Sequence, residues 1–447
     1  MYVEGITVKK YCGRLLLTLL ALGQVTLAHA LPDIQSWKTE KGARVLFVEA
    51  HELPMIDVRV VFDAGGARDG EQAGVASLTN ALLDQGAAGL NADQIAQGFE
   101  QVGSNLGSGS ERDMAWLSLR SLTDSKLLKP SLELFAKVLT QPDFPQADFL
   151  REQKRTLVGL EYQKQKPKSI ANRAFYAAVY GDHPYAQDPS GTEDAVKALS
   201  SGDLRRFYQR YYVARNATLV IVGDVTRKQA QSIADRVLDG LAEGEKAPAL
   251  PKVAELQAAQ QKFIEHPTTQ SHVLMGAPGI KRGDADYFTL YVGNHILGGS
   301  GLVSRISQEI REKRGLSYSA YSYFIPMKRK GPYTLGFQTR NDQREEALSV
   351  LRETLQTFID KGPTEKELQS SKDNIIGGFP LRVSSNGKIA EYLAMIGFYD
   401  LPLDYLSTFT ENVRAVTVEG IKDAYRRRVH PDRMVTIMVG ESAEPES

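Results

Sequence analysis

An internal repeat is the feature that most limits what this chain can fold into. Residues 196–224 align without a gap to residues 413–441, at an offset of 413 − 196 = 217 residues. Identical residues occupy six of these positions, namely Val196, Ala198, Tyr208, Arg210, Val222 and Gly223. Each segment reads as a cap, an amphipathic helix, a turn and a buried strand that ends in Val-Gly-acid. The repeat therefore predicts a duplicated domain.

The elements before each repeat also follow one order. An alternating strand pattern at 55–62 has its counterpart at 271–276, and helical patterns at 74–83 and 287–297 follow them. Further strands are expected at 115–122 and 333–338, and helices near Pro145 and near Pro363-Thr364. This order predicts an α+β protein of two tandem, homologous α/β-sandwich domains related by a pseudo-twofold. We expect mixed, mostly antiparallel sheets with helices packed on them.

The composition places the domain boundaries. A stretch rich in Lys, Glu, Ala and Pro, residues 241–259, is typical of an exposed linker. It separates an N-terminal domain, residues 31–240, from a C-terminal domain, residues 260–447. The chain carries 54 basic and 54 acidic residues, so its formal net charge is zero and nothing in it favours nucleic acid as a partner.

The N-terminus has the layout of a secretory signal peptide. Lys9, Lys10 and Arg14 precede an apolar run at 15–22, and the small-x-small sequence Ala28-His29-Ala30 follows. We expect residues 1–30 to be removed and the protein to be exported, in a bacterium to the periplasm. The alternative is a buried N-terminal helix. The run is too short to span a bilayer, and no later stretch is long enough, so no membrane span is expected after cleavage.

Three segments carry a resemblance to a known family. The most specific, residues 297–319, has a Gly-rich turn, a Ser-Arg helix and then Arg-Glu-Lys-Arg-Gly-Leu-Ser-Tyr. The others are Gly-Asp-His-Pro-Tyr at 181–185 and Gly-Phe-Tyr-Asp-Leu-Pro at 397–402. Together with the two halves they resemble the insulinase/pitrilysin (inverzincin) peptidases. The size of the chain is similar to mitochondrial processing peptidase subunits and to bacterial two-subunit members.

The zinc motif of active family members is missing. They carry His-x-x-Glu-His on a helix, where positions i and i+4 share a face and can hold one Zn²⁺. In this chain Ser77, Asn80 and Ala81 stand where the His, the Glu and the second His would be. A further Glu ligand, distal in sequence, would fall at Val158 or Gly159. Glu161 is close in sequence but lies on another helix face. One alternative is a different metal site at His266 and His272. The ordinary interpretation is that these are surface or strand histidines without a metal. We expect no metal in this chain.

Arg311 and Tyr318 are the candidate catalytic residues. In the family, an Arg/Tyr pair seven residues apart holds the substrate carbonyl and the oxyanion, and the resemblance implies this role here. Two donors placed in advance can stabilise the negative charge of a tetrahedral intermediate. The alternatives are a helix-surface arginine with a packed tyrosine, and the register-shifted pair Arg314 and Tyr321.

Two segments are candidates for substrate binding. The turn at Gly298, Gly299 and Ser300 lacks the Gly-Lys-Ser/Thr of a phosphate loop, so a flexible turn that touches substrate is the better reading than a nucleotide site. Gln270, Ser271 and His272 begin a strand that in the family is an edge to which an extended peptide adds. The alternative is an ordinary strand paired on both sides.

These features together predict the zinc-less subunit of a heterodimeric metallopeptidase. A homologous partner with His-x-x-Glu-His would supply Zn²⁺ and the general base, and the substrates would be unfolded peptides. A non-catalytic scaffold or peptide-binding subunit is the alternative. An independent enzyme with an unrelated site is a third reading, but no nucleophile–base constellation supports it, and the only cysteine, Cys12, lies in the signal peptide.

Overall fold

The protein is described here by a computed structural model that covers residues 33–442. The predicted signal peptide, residues 1–30, lies outside the described residues. No helix between residues 33 and 442 combines the length and the hydrophobicity that crossing a bilayer requires.

The first half of the chain forms a six-stranded sheet. Its strands lie across the sheet in the order β1-β2-β8-β3-β7-β6, with β2 and β8 parallel and the other neighbours antiparallel. The strands of this half, including a separate β4–β5 ladder, are β1 (Gln35–Lys38), β2 (Arg44–Glu49), β3 (Met55–Phe62), β4 (Gly86–Ala87), β5 (Leu90–Asn91), β6 (Asn105–Ser110), β7 (Ala115–Leu122) and β8 (Ala217–Gly223).

The second half forms a five-stranded sheet with the same topology. Its strands are β9 (Gln260–Glu265), β10 (Gln270–Pro278), β11 (Ser319–Phe324), β12 (Pro332–Arg340) and β13 (Val435–Gly440). Their order is β9-β13-β10-β12-β11, with only β9 and β13 parallel, which repeats β2-β8-β3-β7-β6 strand for strand. The prediction of duplicated α+β halves with mixed, mostly antiparallel sheets is confirmed.

Helices cover both sheets. Within the described residues they are α1 (Val75–Ala81), α2 (Ala92–Gln101), α3 (Ser125–Thr140), α4 (Gln146–Lys164), α5 (Pro167–Tyr180), α6 (Glu193–Ala198), α7 (Ser201–Tyr211), α8 (Arg227–Leu238), α9 (Tyr287–Asn294), α10 (Arg305–Ser307), α11 (Arg344–Lys361), α12 (Glu365–Arg382), α13 (Asn386–Phe398), α14 (Tyr405–Arg414) and α15 (Val418–Arg428). Two π-helical turns, His295–Gly299 and Gln308–Glu312, extend α9 and α10.

Local sequence explains where several of these elements begin. Thr364 caps α12 by accepting from the Glu367 N–H, and the Glu367 carboxylate accepts in return from the Thr364 N–H. Ser200 and Asp203 form the same reciprocal cap at α7. The strands that end the two repeats, β8 and β13, are buried at every position, as their continuous apolar runs predict.

Each half contributes one helix that packs on the sheet of the other half. Helix α5 of the first half packs on β10 and β13, and helix α13 of the second half packs across β8 and β3. Leu46 and Val220 of the first sheet therefore share a buried cluster with Leu393 of α13. Gly397 allows this close approach, because a Cβ there would lie 2.5 Å from Thr218 Cγ2. Each sheet is thus covered on its second face by the opposite half.

Residues 241–259 connect the halves without helix or strand. Most of their side chains are exposed, but Leu250 is buried and the backbone is held at several points. The Pro248 carbonyl accepts from Arg68 Nη1 at 2.7 Å, and the Pro251 carbonyl lies 3.1 Å from His183 Nε2. The segment is therefore tied to the body of the protein. The boundaries 31–240 and 260–447 stay predictions.

Candidate functional site

Arg311 and Tyr318 lie side by side where β11 begins. The guanidinium carbon of Arg311 is 6.0 Å from the centroid of the Tyr318 ring, within the range of a cation–π contact. Arg311 Nε also lies 3.4 Å from the Glu312 carboxylate. Tyr318 is 87% exposed, so its hydroxyl is free to meet a molecule outside the chain. The fold brings the predicted pair together, and its role in hydrolysis stays a prediction.

The loop between the two residues is anchored at both ends. Gly315 has a φ of +63°, which lets the chain reverse after the π-helical turn. Leu316 is buried and its N–H donates to the Ile310 carbonyl at 2.9 Å. Ser317 Oγ donates to the Gln338 carbonyl of β12 at 2.6 Å. Tyr318 follows directly after these anchors, so its backbone is fixed while its side chain is exposed.

The register-shifted pair is engaged elsewhere. Arg314 Nη1 donates to the carbonyl and to the carboxylate of Glu309, both at 2.8 Å. Tyr321 stacks on Tyr323 with ring centroids 5.3 Å apart and lies over Gly336 of the neighbouring strand. These contacts account for Arg314 and Tyr321 as structural residues and favour Arg311 and Tyr318 as the pair available to a ligand.

The glycine-rich turn packs against β11. A Cβ on Gly298 would lie 2.5 Å from the Ser322 backbone nitrogen, and a Cβ on Gly299 would lie 3.0 Å from Asn294 Nδ2. Asn294 Nδ2 donates to the Ser322 carbonyl at 2.8 Å. Close packing thus explains both glycines, and Ser300 follows them half-buried. The three-residue α10 is too short to present a phosphate site, and substrate binding at Gly298, Gly299 and Ser300 stays a prediction.

The edge-strand interpretation of Gln270, Ser271 and His272 is wrong. Their strand, β10, is paired with β12 along its whole length and with β13 from His272 to Gly276, so it lies inside the sheet. Ser271 Oγ donates to Asn341 Oδ1 at 2.8 Å, and burial lowers the pKa of His272. The alternative of an ordinary paired strand is correct. The two edges of the second sheet are β9 and β11.

The positions that match the zinc motif of active relatives carry other side chains here. Ser77 and Ala81 lie half-buried on α1, while Asn80 is only 3% exposed. Asn80 Nδ2 lies 3.3 Å from both the Trp116 carbonyl and the Tyr212 hydroxyl, so it acts as a buried structural amide. Val158 and Gly159, the two residues predicted for the distal position, are both exposed, Val158 to 64%.

Glu161 does not replace the missing ligand. Its carboxylate lies 3.0 Å from Lys164 Nζ. Among residues 33–442, no three His, Cys, Asp or Glu side chains gather into a possible metal site. The alternative site at His266 and His272 thus has no set of ligands in the described part of the chain.

A buried carboxyl, Asp69, fixes the start of α1. Its two oxygens accept from the N–H groups of Gly74 and Ala76 at 2.7 and 2.9 Å. Burial raises the pKa of Asp69 to about 7, and the two hydrogen bonds offset only part of that effect.

Sequence reasoning missed a polar cluster that joins the halves. Asp113 accepts from the hydroxyls of Tyr185 and Tyr399 and from the Lys328 N–H. Tyr185 belongs to the motif at 181–185 and Tyr399 to the motif at 397–402. The two shorter family segments therefore meet at one buried carboxyl. Asp113 itself stands in no motif, so only the signal of two tyrosines in related segments could have suggested it.

The fold and the site together define a class of protein. It comprises chains of two homologous α+β halves, with an Arg/Tyr pair in the second half and no zinc motif in the first. Residues 44–193 match the family model described as insulinase (peptidase family M16), and residues 198–375 match the model described as the peptidase M16 inactive domain. The chain belongs to the insulinase family, peptidase family M16.

Individual relatives agree with this assignment. A crystal structure of a peptidase M16 inactive domain from Pseudomonas fluorescens is 39% identical, covers 92% of this chain and 99% of its own, and has a TM-score of 0.90. The "non-peptidase homolog YmxG" of Helicobacter pylori is 25% identical over 85% of this chain and 87% of its own length. The "uncharacterized zinc protease YmxG" of Bacillus subtilis is 23% identical over 80% of this chain and 86% of its own length.

Proposed function

We propose that this chain is the zinc-less subunit of an exported, periplasmic heterodimeric metallopeptidase. The single observation that carries the proposal is the Arg311 and Tyr318 pair, held on an anchored loop with Tyr318 exposed, in a chain with Ser77, Asn80 and Ala81 in place of the motif His, Glu and His. The match to a model described as an inactive domain supports a subunit without peptidase activity of its own. So does the relative named a non-peptidase homolog.

The mechanism divides the chemistry between two chains. A partner with His-x-x-Glu-His supplies the zinc ion and the general base that activate water. Arg311 and the Tyr318 hydroxyl donate to the oxygen of the scissile carbonyl as negative charge develops on it. One such preorganised donor contributes roughly 3 kcal/mol to transition-state binding. The substrates are unfolded peptides, because the two subunits enclose the site and a folded protein would not fit between them.

A peptide-binding subunit without a role in hydrolysis is the second candidate. The observation in its favour is the outer edge of β6, which pairs with no strand of the described residues and has the small-residue sequence Gly107-Ser-Gly-Ser110. Such an edge offers unpaired N–H and C=O groups to an extended peptide. In this function Arg311 and Tyr318 bind peptide or partner without acting on the reaction.

Reconstitution tests the proposal. The chain is purified alone, then mixed in increasing amounts with a homologous exported subunit that carries His-x-x-Glu-His, and cleavage of a quenched fluorescent peptide is followed. We expect neither chain to cleave alone and activity to saturate at equal amounts of the two. A partner that is fully active by itself, and unchanged on mixing, would leave the peptide-binding function as the better account.

A further inference from the structure

The second half contains a cavity apart from Arg311 and Tyr318. It lies between α9, the end of β11 and the end of α12, and its volume is about 280 Å³. This volume suits one amino-acid residue better than a folded partner. Its walls include Arg282, Arg382, Tyr287, Tyr291, Tyr323 and Phe324.

The cavity is positively charged, and its two arginines pack against tyrosine rings. Within the described residues, no Asp or Glu side chain lines the cavity, and neither Arg282 nor Arg382 forms a salt bridge. The Arg282 guanidinium lies between the rings of Tyr287 and Tyr399, at 5.9 and 5.6 Å from their centroids. Its Nε is buried and has no hydrogen-bond partner among the described residues. A buried guanidinium N–H without a protein acceptor is able to donate to an anionic ligand.

The hydroxyl of Tyr291 is a further donor. Arg382 faces the buried Tyr291 oxygen, and its guanidinium carbon lies 6.0 Å from the centroid of the same ring, while the hydroxyl proton has no acceptor among the described residues. Burial raises the pKa of Tyr291, so the phenol stays protonated at neutral pH. Two guanidinium groups and a phenol O–H together are suited to the two oxygens of a carboxylate.

The remaining wall is aromatic. Tyr287 and Tyr291 stack with ring centroids 5.9 Å apart, and Tyr323 and Phe324 come from β11. Such a wall favours an apolar or aromatic group beside the anion. We propose that this cavity, which we call the Arg282/Arg382 pocket, binds the free α-carboxylate of a peptide, with the last side chain against the aromatic wall.

The pocket is separate from the candidate catalytic pair. It lies at the far end of β11, and Tyr318 and Tyr323 are five residues apart, which is roughly 17 Å along a strand. The inference rests on the proposed function insofar as both concern peptides. Its test uses this chain alone, so its failure would leave a shared zinc site untouched.

Binding of matched peptides by calorimetry tests the inference. The probes are Ala-Ala-Ala-Ala-Phe with a free carboxylate, the same peptide as its C-terminal amide, and an amidated peptide that ends in Glu. We expect the free acid to bind at least about tenfold more tightly than the amide, because the amide loses the charge-assisted hydrogen bonds. Arg282→Gln and Arg382→Gln should each remove this preference.

A matched arginine provides the control. Arg433→Gln changes an exposed arginine of the same half that does not line the pocket, and it should keep the preference. Thermal unfolding of all three variants checks that they are folded. Equal binding of free acid and amide, or no measurable binding of either, would overturn the inference. Tight binding of the amidated Glu peptide would assign the pocket to acidic side chains and overturn the α-carboxylate assignment.

Discussion

At the scale of single residues, the zinc motif is absent because other residues stand at its positions, while the helices that carry these positions, α1 and α4, are still present. Ser77 and Ala81 occupy one face of α1 at spacing i, i+4, and Val158 is exposed on α4. Ser77 and Ala81 are half-buried, and none of the three is fully buried. Asn80 differs from them, since its amide is buried against Trp116 and Tyr212.

Restoring the ligands should therefore restore metal binding. The triple variant Ser77→His, Ala81→His, Val158→Glu leaves Asn80 in place and supplies two imidazoles and a carboxylate. We expect it to retain one zinc ion per chain after dialysis, measured by atomic emission, because these groups form a tetrahedral site with one open position. The same chain with Val158→Gln serves as the control and should lose most of the metal. Absence of zinc both from this variant and from the one with Gly159→Glu in place of Val158→Glu would refute the assignment of these positions.

The raised pKa of Asp69 predicts that the free energy of unfolding depends on pH. In the folded chain its pKa is about 7, against an ordinary value of 3.8. The folded state then holds a proton that the unfolded state has lost, so this group lowers the free energy of unfolding as the pH rises from about 4 to about 7. Below that window Asp69 is protonated in both states and does not change the free energy of unfolding. Above it Asp69 is ionised in both states, and the free energy of unfolding stays lower by a constant amount.

Asp69→Asn isolates that contribution. The free energy of unfolding of the wild type minus that of the variant should fall across the window, with a slope of at most about 1.4 kcal/mol per pH unit. Urea unfolding at several pH values measures it. A difference that stays constant between the two ends of the window would show that Asp69 does not titrate as described.

Which residues could be found from the sequence depends on how local their signal is. The Arg311 and Tyr318 pair and the missing zinc ligands follow from the resemblance to family motifs whose residues are close together or at fixed spacings along the chain. Asp113, Arg282 and Arg382 carry no such signal, because their neighbours come from distant segments. Tyr399, for example, donates to Asp113 across 286 positions of the sequence.

At the scale of elements, the packing of the glycine turn on β11 controls the candidate site. Gly298 touches the backbone of Ser322, and β11 begins directly after Tyr318. A methyl group at Gly298 cannot be accommodated without moving β11 or the turn. The position of Tyr318 thus depends on the packing of Gly298 against β11.

Gly298→Ala should destabilise the protein. We expect a loss of about 1–3 kcal/mol, measured by urea unfolding, because overpacking forces the backbone to shift. Gly378→Ala in α12 is the matched control, since a Cβ there would meet no atom within 4 Å. That variant should be unchanged or stabilised by up to about 1 kcal/mol, as Ala favours helix. Equal effects of the two substitutions would contradict the packing account.

The bounds of helices and strands could be predicted from the sequence where the pattern that sets them is local. The position of each strand within its sheet could not be predicted. Strand β3 and helix α12 begin at or next to the predicted residues because alternation and capping act within a few positions. The interior position of β10 depends on pairing with β13, whose Val439 lies opposite His272. A strand of nine residues cannot reveal a partner so far along the chain.

At the scale of the whole molecule, the exchange of α5 and α13 makes the halves interdependent. The face of the first sheet that carries Leu46 and Val220 is apolar and is buried under α13. An exposed apolar face of this kind promotes association with other molecules. The duplication visible in the sequence therefore does not produce two independent folding units.

Separated halves should show this dependence. Residues 31–240 alone are expected to bind a hydrophobic dye such as ANS and to unfold without the cooperativity of the intact chain. Mixing with residues 241–447 should restore a soluble complex with low dye binding. A first half that unfolds cooperatively by itself, at the midpoint of the intact chain, would contradict the interlocked architecture.

The central claim is that this chain completes a zinc site which it does not itself contain. Its most direct test is the kcat of the reconstituted heterodimer with Arg311→Ala, beside Arg314→Ala as a control from the same loop. We predict that Arg311→Ala lowers kcat by about 100-fold with little change in KM, since the oxyanion loses a donor. Arg314→Ala should leave kcat near that of the wild type. Unaltered kcat in the Arg311→Ala complex would contradict the shared site.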